Sequence, residues 1–499
     1  MHQERKSGIL LHPTSLPGPG GIGSMGQSAR AFADFLHASG QSIWQILPTG
    51  PTTYGHSPYA CYSAFAGNPL LIDLETLAGE GDLDSSDLGH GLPDDRVDYQ
   101  RVEKFKIDIL KKAAAGFFAT GHSARMEAFR SFCETNSWLK DFALFMTLKE
   151  HYHGKCWNEW PDAVAGREPS ALEELNQELS GLIDVQKYMQ WQFFRQWQGV
   201  KEYANSLGIK IFGDIPIFVA YDSADVWANR HLFLLDEEGR PTAVAGVPPD
   251  YFSSTGQLWG NPLYDWDAMA SNGYGWWIDR FRCSFALCDM VRVDHFRGFE
   301  SHWEVPAKEK TAVNGRWAPG PGDALFYAVA GALGQLPIIA EDLGVITPEV
   351  EALRDRFSFP GMKILQFAFG SGPRNPYLPH NHIRESVVYT GTHDNDTTVG
   401  WFASLTESEK KDVCRYLNTS GDDIAWDLIR VSLVSVADTV IFPLQDILSL
   451  DSEARMNTPG TSTGNWTWRF SADSLTPELA GGLLELTGIY GRRIVNSLQ

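Results

Sequence analysis

The sequence VRVDHFRGF at residues 291–299 follows an apolar segment and leads from alternating charged residues into aromatic residues and glycine. If Met290 to Asp294 form a β-strand, side chains alternate between its two faces, so Arg292 and Asp294 share one face and two valines share the other. A nearby guanidinium favours the ionised form of a carboxyl group. An ionised carboxylate at a strand end, next to a histidine, suits a nucleophile or a metal ligand, and a purely structural Asp–Arg pair is the alternative.

The composition indicates a large globular protein that does not bind anionic partners. The chain has 499 residues, of which 43% are hydrophobic, and a formal net charge of −21. This charge disfavours binding to nucleic acid and to anionic membranes. The six cysteines include no CxxC pair, which indicates free thiols in a reducing compartment. Since no signal peptide or membrane-spanning segment is recognisable, we expect a cytoplasmic protein.

Eight apolar segments bounded by Gly, Pro or Asp predict β-strands. These segments are 8–12, 42–47, 209–213, 289–293, 336–340, 362–367, 386–389 and 439–442. Most are separated by segments with helical periodicity, which include 28–38, 185–207, 323–336, 348–357 and 407–417. Alternating strands and helices form parallel sheets through right-handed crossovers, so the sequence predicts an α/β fold of the (β/α)₈ type, a TIM barrel.

Two intervals between predicted strands are too long to be simple loops. The first covers about residues 49–188, after the second strand, and includes predicted helical sequence at 98–119 and 123–150. The second covers about residues 228–273, after the third strand, and is rich in Gly, Pro and aromatic residues. Both would stand over the face on which such barrels carry their active sites. We therefore expect residues 1–499 to form a single catalytic barrel with two insertion subdomains.

Carboxylates follow four of the predicted strands. Asp214 follows the third strand, Asp294 the fourth, Glu341 the fifth and Asp394 the seventh. Because the C-terminal ends of the strands form one rim of a barrel, these four side chains should lie close together. A structural cap or ion pair could explain one of them, but four at equivalent positions indicate an active site.

Several acids around a barrel mouth suit two chemistries. Glycoside cleavage uses one ionised and one protonated carboxyl group, whereas a divalent metal site uses Asp, Glu and His as ligands. Arg292 would compete with a metal ion, and His295 and His393 lack the spaced pairs of zinc enzymes. The chain also has 17 Trp, some of them in polar, glycine-rich loops where indole rings can stack on sugars. The residues therefore favour glycoside chemistry, with no metal or other cofactor.

The sequence resembles the 4-α-glucanotransferases, or amylomaltases, of glycoside hydrolase family 77 in the α-amylase clan. The resemblance spans nearly the whole chain and rests on the segments 57–59 (SPY), 64–69 (AFAGNP), 213–219 (GDIPIFV), 246–252 (GVPPDYF), 256–262 (GQLWGNP), 291–299, 340–344 (AEDLG), 391–396 (GTHDND) and 464–469 (GNWTWR). The segments that contain Asp294, Glu341 and Asp394 resemble the whole clan. The PPDYF and NWTWR sequences point to this family within it.

The resemblance implies a retaining mechanism with three catalytic carboxyl groups. Asp294 would be the nucleophile that forms a covalent glycosyl-enzyme. Glu341 would be the general acid and then the general base, and Asp394 would stabilise the transition state. In a retaining enzyme the carboxyl groups of nucleophile and acid lie about 5–5.5 Å apart. Glu341 should also lie in a drier environment than Asp294, because the acid must hold its proton near neutral pH.

A set of substrate-binding residues accompanies these three. It comprises Tyr59, Asp214, Gln257, Trp259, Arg292, His295, His393 and Asn465. Tyr59 is expected to stack under a sugar ring, and Gln257 and Trp259 are candidates for the acceptor side, although a core position is the alternative for Trp259. Asn465 lies in a Trp-rich turn whose alternative role is to pack against the barrel. Tyr54 is a candidate for a second glucan site on the surface.

The neighbours of the predicted acids are expected to lie outside the substrate pocket. Asp342, Asn395 and Asp396 are as polar as the catalytic candidates, but only one residue of each neighbouring pair can readily point inward. Residues 246–254 resemble the active-site loop of the family, and the Pro pair predicts a semi-rigid lid.

Together these expectations describe a transglycosylase that moves α-1,4-glucan segments from a maltodextrin donor to the 4-hydroxyl of an acceptor. Its expected partners are maltooligosaccharides, amylose and other α-1,4-glucans, and not nucleic acid or membranes. A monomer and a weak dimer both fit the sequence. The alternatives are a retaining α-glucan hydrolase with the same residues, a non-catalytic glucan-binding protein and a divalent-metal enzyme.

Overall fold

The computed structural model describes residues 5–88, 91–249 and 253–493. The strands in these ranges are β1 (Lys6–Leu10), β2 (Ile43–Gln45), β3 (Lys210–Pro216), β4 (Ala243–Val247), β5 (Gln257–Pro262), β6 (Met290–Asp294), β7 (Ser301–Pro306), β8 (Arg316–Pro319), β9 (Ile338–Ala340), β10 (Gly361–Ile364), β11 (Ser386–Tyr389) and β12 (Thr439–Pro443). The α-helices are α1 (Gln27–Ala38), α2 (Leu74–Gly79), α3 (Tyr99–Thr120), α4 (Ser123–Thr135), α5 (Trp138–His151), α6 (Asp162–Ala165), α7 (Pro169–Glu178), α8 (Ser180–Ser206), α9 (Ala224–Ala228), α10 (Trp266–Ser271), α11 (Gly275–Leu287), α12 (Asp323–Leu333), α13 (Pro348–Arg356), α14 (Thr398–Ser404), α15 (Glu407–Leu417), α16 (Ile424–Val434), α17 (Leu444–Ile447) and α18 (Pro477–Ile489).

Eight of the strands form one parallel sheet, in the order β10-β11-β12-β1-β2-β3-β6-β9. The two end strands, β9 and β10, also lie next to each other, and the N–H of Ala340 donates to the carbonyl of Pro360 at 2.9 Å. The sheet is therefore a nearly closed barrel, and the predicted (β/α)₈ fold is confirmed. Each of the eight predicted strands corresponds to one strand of the barrel.

Helices with an apolar face cover the outside of the barrel, as α1 illustrates. In α1, Phe32 and Leu36 are one turn apart and completely or almost completely buried. The ring of Phe32 packs edge-on against Trp44 of β2, with 5.0 Å between the ring centroids. In β6 the valines Val291 and Val293 are fully buried, which leaves the alternate positions of the strand to reach the barrel interior and rim.

Two local predictions require correction. The predicted third strand ends at residue 213, but β3 continues to Pro216, so Asp214 lies within the strand and not after it. Residues 123–150 form two helices and not one continuous segment. Asn136 separates α4 from α5, because its backbone leaves the helical conformation (φ −103°, ψ 89°) and its side-chain amide donates to the carbonyl of Phe132 at the helix end.

A second, antiparallel sheet in the order β5-β4-β7-β8 was not predicted. Strands β4 and β5 come from the interval between β3 and β6, whereas β7 and β8 come from the interval after β6. This sheet carries Gln257 and Trp259 on β5. Three residues of the predicted lid, 250–252, lie outside the described residues. Within the described ranges, no helix is long and apolar enough to cross a membrane, and all six cysteines are free thiols, as predicted.

Candidate active site

Arg292 is the centre of a charged cluster at the C-terminal rim of the barrel. Its Nη1 lies 2.5 Å from Oδ2 of Asp214 on the neighbouring strand β3, and its Nη2 lies 2.5 Å from Oδ1 of Asp294. The first contact follows from the strand register, which pairs Asp214 with Arg292 and Pro216 with Asp294. The second follows from the two-residue repeat of a strand, as predicted. The guanidinium is thus shared between two carboxylates.

Tyr59 holds the carboxylate of Asp214 in place. Its hydroxyl donates to Oδ2 of Asp214 at 2.8 Å and accepts from Nη1 of Arg292 at 3.2 Å. The side chain of Asp214 is completely buried, whereas that of Asp294 is 29% exposed. Asp214 therefore holds Arg292 and Tyr59 from the buried side of the cluster, and Asp294 is the carboxylate that faces the open cleft.

Glu341 is fixed by two backbone N–H groups. Its Oε1 accepts from Leu343 at 2.8 Å, and its Oε2 accepts from His295 at 2.7 Å. His295 directly follows Asp294 and has a left-handed backbone with φ of 51°. This turn of the chain directs the His295 N–H toward Glu341 and so places the two carboxyl groups against the same backbone segment. Glu341 is 9% exposed and is the drier of the two. Their predicted separation of about 5–5.5 Å stays a prediction.

Burial and crowding raise the proton affinity of the cluster. The pKa of Asp294 is raised to about 8, mainly by burial and further by the carboxylates Asp214, Glu341 and Asp394, against the opposing effect of Arg292. Burial also raises the pKa of Glu341, against the opposing effects of Arg292 and the two N–H groups. The expectation that Arg292 alone keeps Asp294 ionised is therefore too simple, because one guanidinium serves several carboxylates. The cluster as a whole holds a proton near neutral pH.

Asp394 enters the site from the loop after β11. Its side chain is 47% exposed, and its Oδ1 accepts from Nδ2 of Asn457 at 2.7 Å. Nη2 of Arg455 donates to its backbone carbonyl at 2.7 Å. The sequence did not single out Asn457 or Arg455, because they lie in a loop 63 and 61 residues after Asp394 and belong to none of the recognised segments.

The two histidines of the site are neutral. His393 stacks on Tyr59 with 5.1 Å between the ring centroids and 15° between the planes, and burial lowers its pKa. Burial, with smaller effects of nearby cationic groups, lowers the pKa of His295 to about 3. Neutral imidazoles can donate a hydrogen bond to a sugar hydroxyl or accept one from it, without adding positive charge to the cluster.

Trp259 of β5 lies on the opposite wall of the cleft, and Gln257 is two residues before it on the same strand. The indole of Trp259 meets His295 edge to face, with 4.8 Å between the centroids. Its Nε1 donates to Oε1 of Gln257 at 3.1 Å. Trp259 is 38% exposed, so the alternative of a core position is wrong.

One cavity of about 410 Å³ joins the barrel rim to this wall. Its lining comprises Ser57, Tyr59, Ala60, Pro216, Ile217, Phe218, Ala220, Tyr221, Trp259, Gly260, Asn261 and Asp294. Within the described residues, no group of three or more His, Cys, Asp or Glu side chains could hold a metal ion. The positive charge of the site comes from the guanidinium of Arg292. The cavity thus places an aromatic wall, a tyrosine and a carboxylate around one space.

The neighbours of the catalytic candidates bond elsewhere, as expected. Asp342 accepts from the N–H of Met362 at 2.7 Å. Asn395 accepts a hydrogen bond from the N–H of Thr392 at 2.8 Å. Asp396 accepts one from the hydroxyl of Ser452, in a neighbouring loop, at 2.7 Å. These side chains stabilise the loops at the rim and leave the cleft to the residues beside them.

Asn465 is held within its own turn. It accepts from the N–H of Thr458 at 2.9 Å and donates to the carbonyl of Thr461 at 3.1 Å. The turn contacts the site through the next residue, Trp466, whose ring lies 5.9 Å from that of His393. A substrate contact of Asn465 stays a prediction. Tyr54 is 96% exposed, so it is free to meet a ligand from solvent, and its glucan-binding role likewise stays a prediction.

The chain is similar over its whole length to proteins of one family. A family model described as 4-alpha-glucanotransferase matches residues 11–475. The 4-alpha-glucanotransferase of Synechocystis sp. is 54% identical over 100% of both chains, and that of Thermus thermophilus is 52% identical over 96% of this chain and 97% of the relative. The structure of amylomaltase from Streptococcus agalactiae in complex with acarbose has a TM-score of 0.96 at 41% identity, over 98% of this chain and 100% of the other. The chain therefore belongs to the 4-α-glucanotransferase family, glycoside hydrolase family 77.

Proposed function

We propose that the cleft transfers α-1,4-glucan segments from a maltooligosaccharide or amylose donor to the 4-hydroxyl of an acceptor glucan, with retention of configuration. The observation that carries the proposal is the arrangement of Asp294 and Glu341. One is bound to a guanidinium and faces the cleft, and the other is fixed by two backbone N–H groups in a drier position. A retaining glycoside mechanism requires one ionised carboxylate and one proton-donating carboxyl group, and this arrangement supports those roles for Asp294 and Glu341.

In the first step Asp294 attacks the anomeric carbon, and Glu341 gives its proton to the glycosidic oxygen as that bond breaks. The reaction therefore needs the proton of the cluster on Glu341 and the negative charge on Asp294. The direct contact of Arg292 favours this distribution, since a charge-assisted hydrogen bond stabilises the ionised carboxylate that accepts it. The reducing-end part of the donor leaves with the transferred proton, and the remainder is held as a glycosyl ester of Asp294.

In the second step Glu341, now ionised, takes the proton of an acceptor hydroxyl, whose oxygen displaces Asp294 from the anomeric carbon. The aromatic wall at Trp259 supports an acceptor sugar and excludes water from the ester. His393 stacks on Tyr59, which lines the cavity. In the proposal, Asp394 and the neutral His393 bind the hydroxyls of the reacting glucose through contacts that tighten in the transition state.

A retaining α-glucan hydrolase would use the same carboxyl groups, with water in place of the acceptor. Family membership favours transfer, and the exposed indole of Trp259 provides a surface that a sugar acceptor can use and water cannot. A non-catalytic glucan-binding protein would not need a proton donor beside a guanidinium-bound carboxylate. A cytoplasmic location is part of the proposal and is supported by the six free thiols.

Incubation with maltotriose tests the proposal. We expect glucose together with shorter and longer maltooligosaccharides, at a constant number of reducing ends, because each bond broken is replaced by an equivalent bond. A steady rise in reducing ends would identify a hydrolase instead. No change in the oligosaccharides would contradict both reactions. The Glu341→Gln variant is the matched control, since it keeps the shape of the side chain without its proton exchange.

A further inference from the structure

An exposed tryptophan lies on the second sheet, outside the lining of the cleft. Trp317 on β8 is 41% exposed. The guanidinium carbon of Arg297 lies 3.8 Å from the centroid of its ring and covers one face. Trp303, directly opposite on β7, meets the ring at 5.2 Å and 68°. The exposure of Trp317 therefore belongs to the remaining face and edge of the indole.

The ring is held rigidly from behind. Trp303 donates from Nε1 to the carbonyl of Ala312 at 2.8 Å and packs on a small apolar cluster with Val305. Arg297 is 5% exposed and donates from Nη1 to the carbonyl of Val345. A cation stacked on one face fixes the plane of an indole through cation–π attraction. The open face of Trp317 is thus a preorganised flat apolar surface, not a loose side chain.

Polar groups lie beside this surface. Ser301 is two residues from Trp303 on β7 and therefore faces the same side of the sheet. Its hydroxyl donates to Oε2 of Glu300 at 2.6 Å and lies 3.4 Å from Nη2 of Arg297. An aromatic face next to hydroxyl, carboxylate and guanidinium groups suits a pyranose ring, which has an apolar C–H face and a polar edge.

The surface also adjoins the two chain segments that carry the catalytic candidates. Arg297 is three residues from Asp294, and Val345, whose carbonyl Arg297 contacts, is four residues from Glu341. A glucan that runs out of the cleft along these two segments would therefore reach the ring of Trp317 while its reacting bond lies between the two carboxyl groups. Short oligosaccharides would not extend that far.

We propose that the open face of Trp317, supported by Arg297 and Trp303, is a subsite that binds a sugar ring of long α-1,4-glucans. This inference rests on the proposed function, because that function supplies the glucan in the cleft. Its contribution is confined to long chains, so it separates the use of amylose from the use of maltotriose.

The test compares Trp317→Ala with Tyr327→Ala. Tyr327 is a matched control, since it is also an exposed aromatic residue, 60% exposed on α12, that packs edge-on against another ring, Phe357. For Trp317→Ala we expect an about three- to tenfold higher KM for amylose and unchanged kinetics with maltotriose, and Trp317→Phe should recover most of the affinity. Retardation of each variant in an amylose-containing native gel, on the inactive Glu341→Gln background, measures binding directly.

Each result decides between the possibilities. Amylose binding by Trp317→Ala equal to that of the parent, or equal to that of Tyr327→Ala, would overturn the subsite. An equal loss with maltotriose and amylose would also overturn it, since the ring would then act by supporting the catalytic segments. Equal loss in Trp317→Phe would overturn stacking as its basis. If the wild-type protein did not act on maltotriose but bound amylose through Trp317, the proposed function would fail and the subsite would stand.

Discussion

The catalytic candidates on β6 and after β11 are held in different ways. Asp294 is part of a strand, and its partner Arg292 lies two residues away in the same strand, with a side chain only 6% exposed. Asp394 lies in a loop with a side chain that is 47% exposed, and its partner Asn457 comes from another loop. One carboxylate is thus placed by strand geometry and a charged contact, the other by loop packing and a neutral donor.

The loop after β11 is fastened at both of its ends by one residue. Asp446 accepts the N–H of Thr398 at 2.7 Å and the hydroxyl groups of Thr390 and Thr398, so one buried carboxylate fastens both ends of the loop. This difference suits the proposed roles. A nucleophile needs a fixed position and a defined charge, whereas a residue that grips hydroxyl groups in the transition state can gain from adjustment as the sugar ring changes shape.

The largest effect is expected at Asp294 and Glu341, the two proposed catalytic carboxyl groups. Asp294→Asn or Glu341→Gln should reduce kcat with maltotriose at least about 10³-fold, because each removes a group that forms or breaks a bond. Circular dichroism should show a folded protein in both cases. Appreciable activity in either variant would contradict the roles proposed for Asp294 and Glu341.

Arg292→Lys tests the charged contact of the β6 rim itself. The guanidinium reaches Asp214 and Asp294 with separate nitrogens, and an ammonium cannot reproduce this fork, so we expect kcat to fall about 10²-fold. Arg292 lowers the pKa of Asp294, so a weaker contact raises that pKa. The acidic limb of the pH–rate profile, where Asp294 takes up a proton, should then move to higher pH. A limb that stays in place or moves to lower pH would show that Arg292 does not set the charge of Asp294.

The same contrast explains how far the sequence predicts the site. The pairing of Arg292 with Asp294 follows from the two-residue repeat of a strand, and the eight barrel strands follow from apolar segments between helices. The contact of Tyr59 with Asp214 could not be predicted, since it depends on how a long interval folds back over β3. Asn457 was missed for the same physical reason, because loop packing has no periodicity in sequence. The second sheet was missed because its short strands come from two separate intervals.

The smallest effect is expected at Asn457, which bonds Asp394 in the loop after β11. Asn457→Ala removes a hydrogen bond from a neutral amide to an exposed carboxylate, and such a bond contributes about 1 kcal/mol, which corresponds to a roughly fivefold lower kcat. Asn176→Ala, which removes a side-chain amide that bonds within α7, is the matched control and should leave kcat unchanged. If Asn457 acts by orienting Asp394, its loss should lower kcat more than it raises KM, since the grip on the sugar hydroxyls tightens in the transition state. An effect as large as that of Arg292→Lys would show that Asp394 needs a position as strictly fixed as that of Asp294, and the distinction between the two rims would then fail.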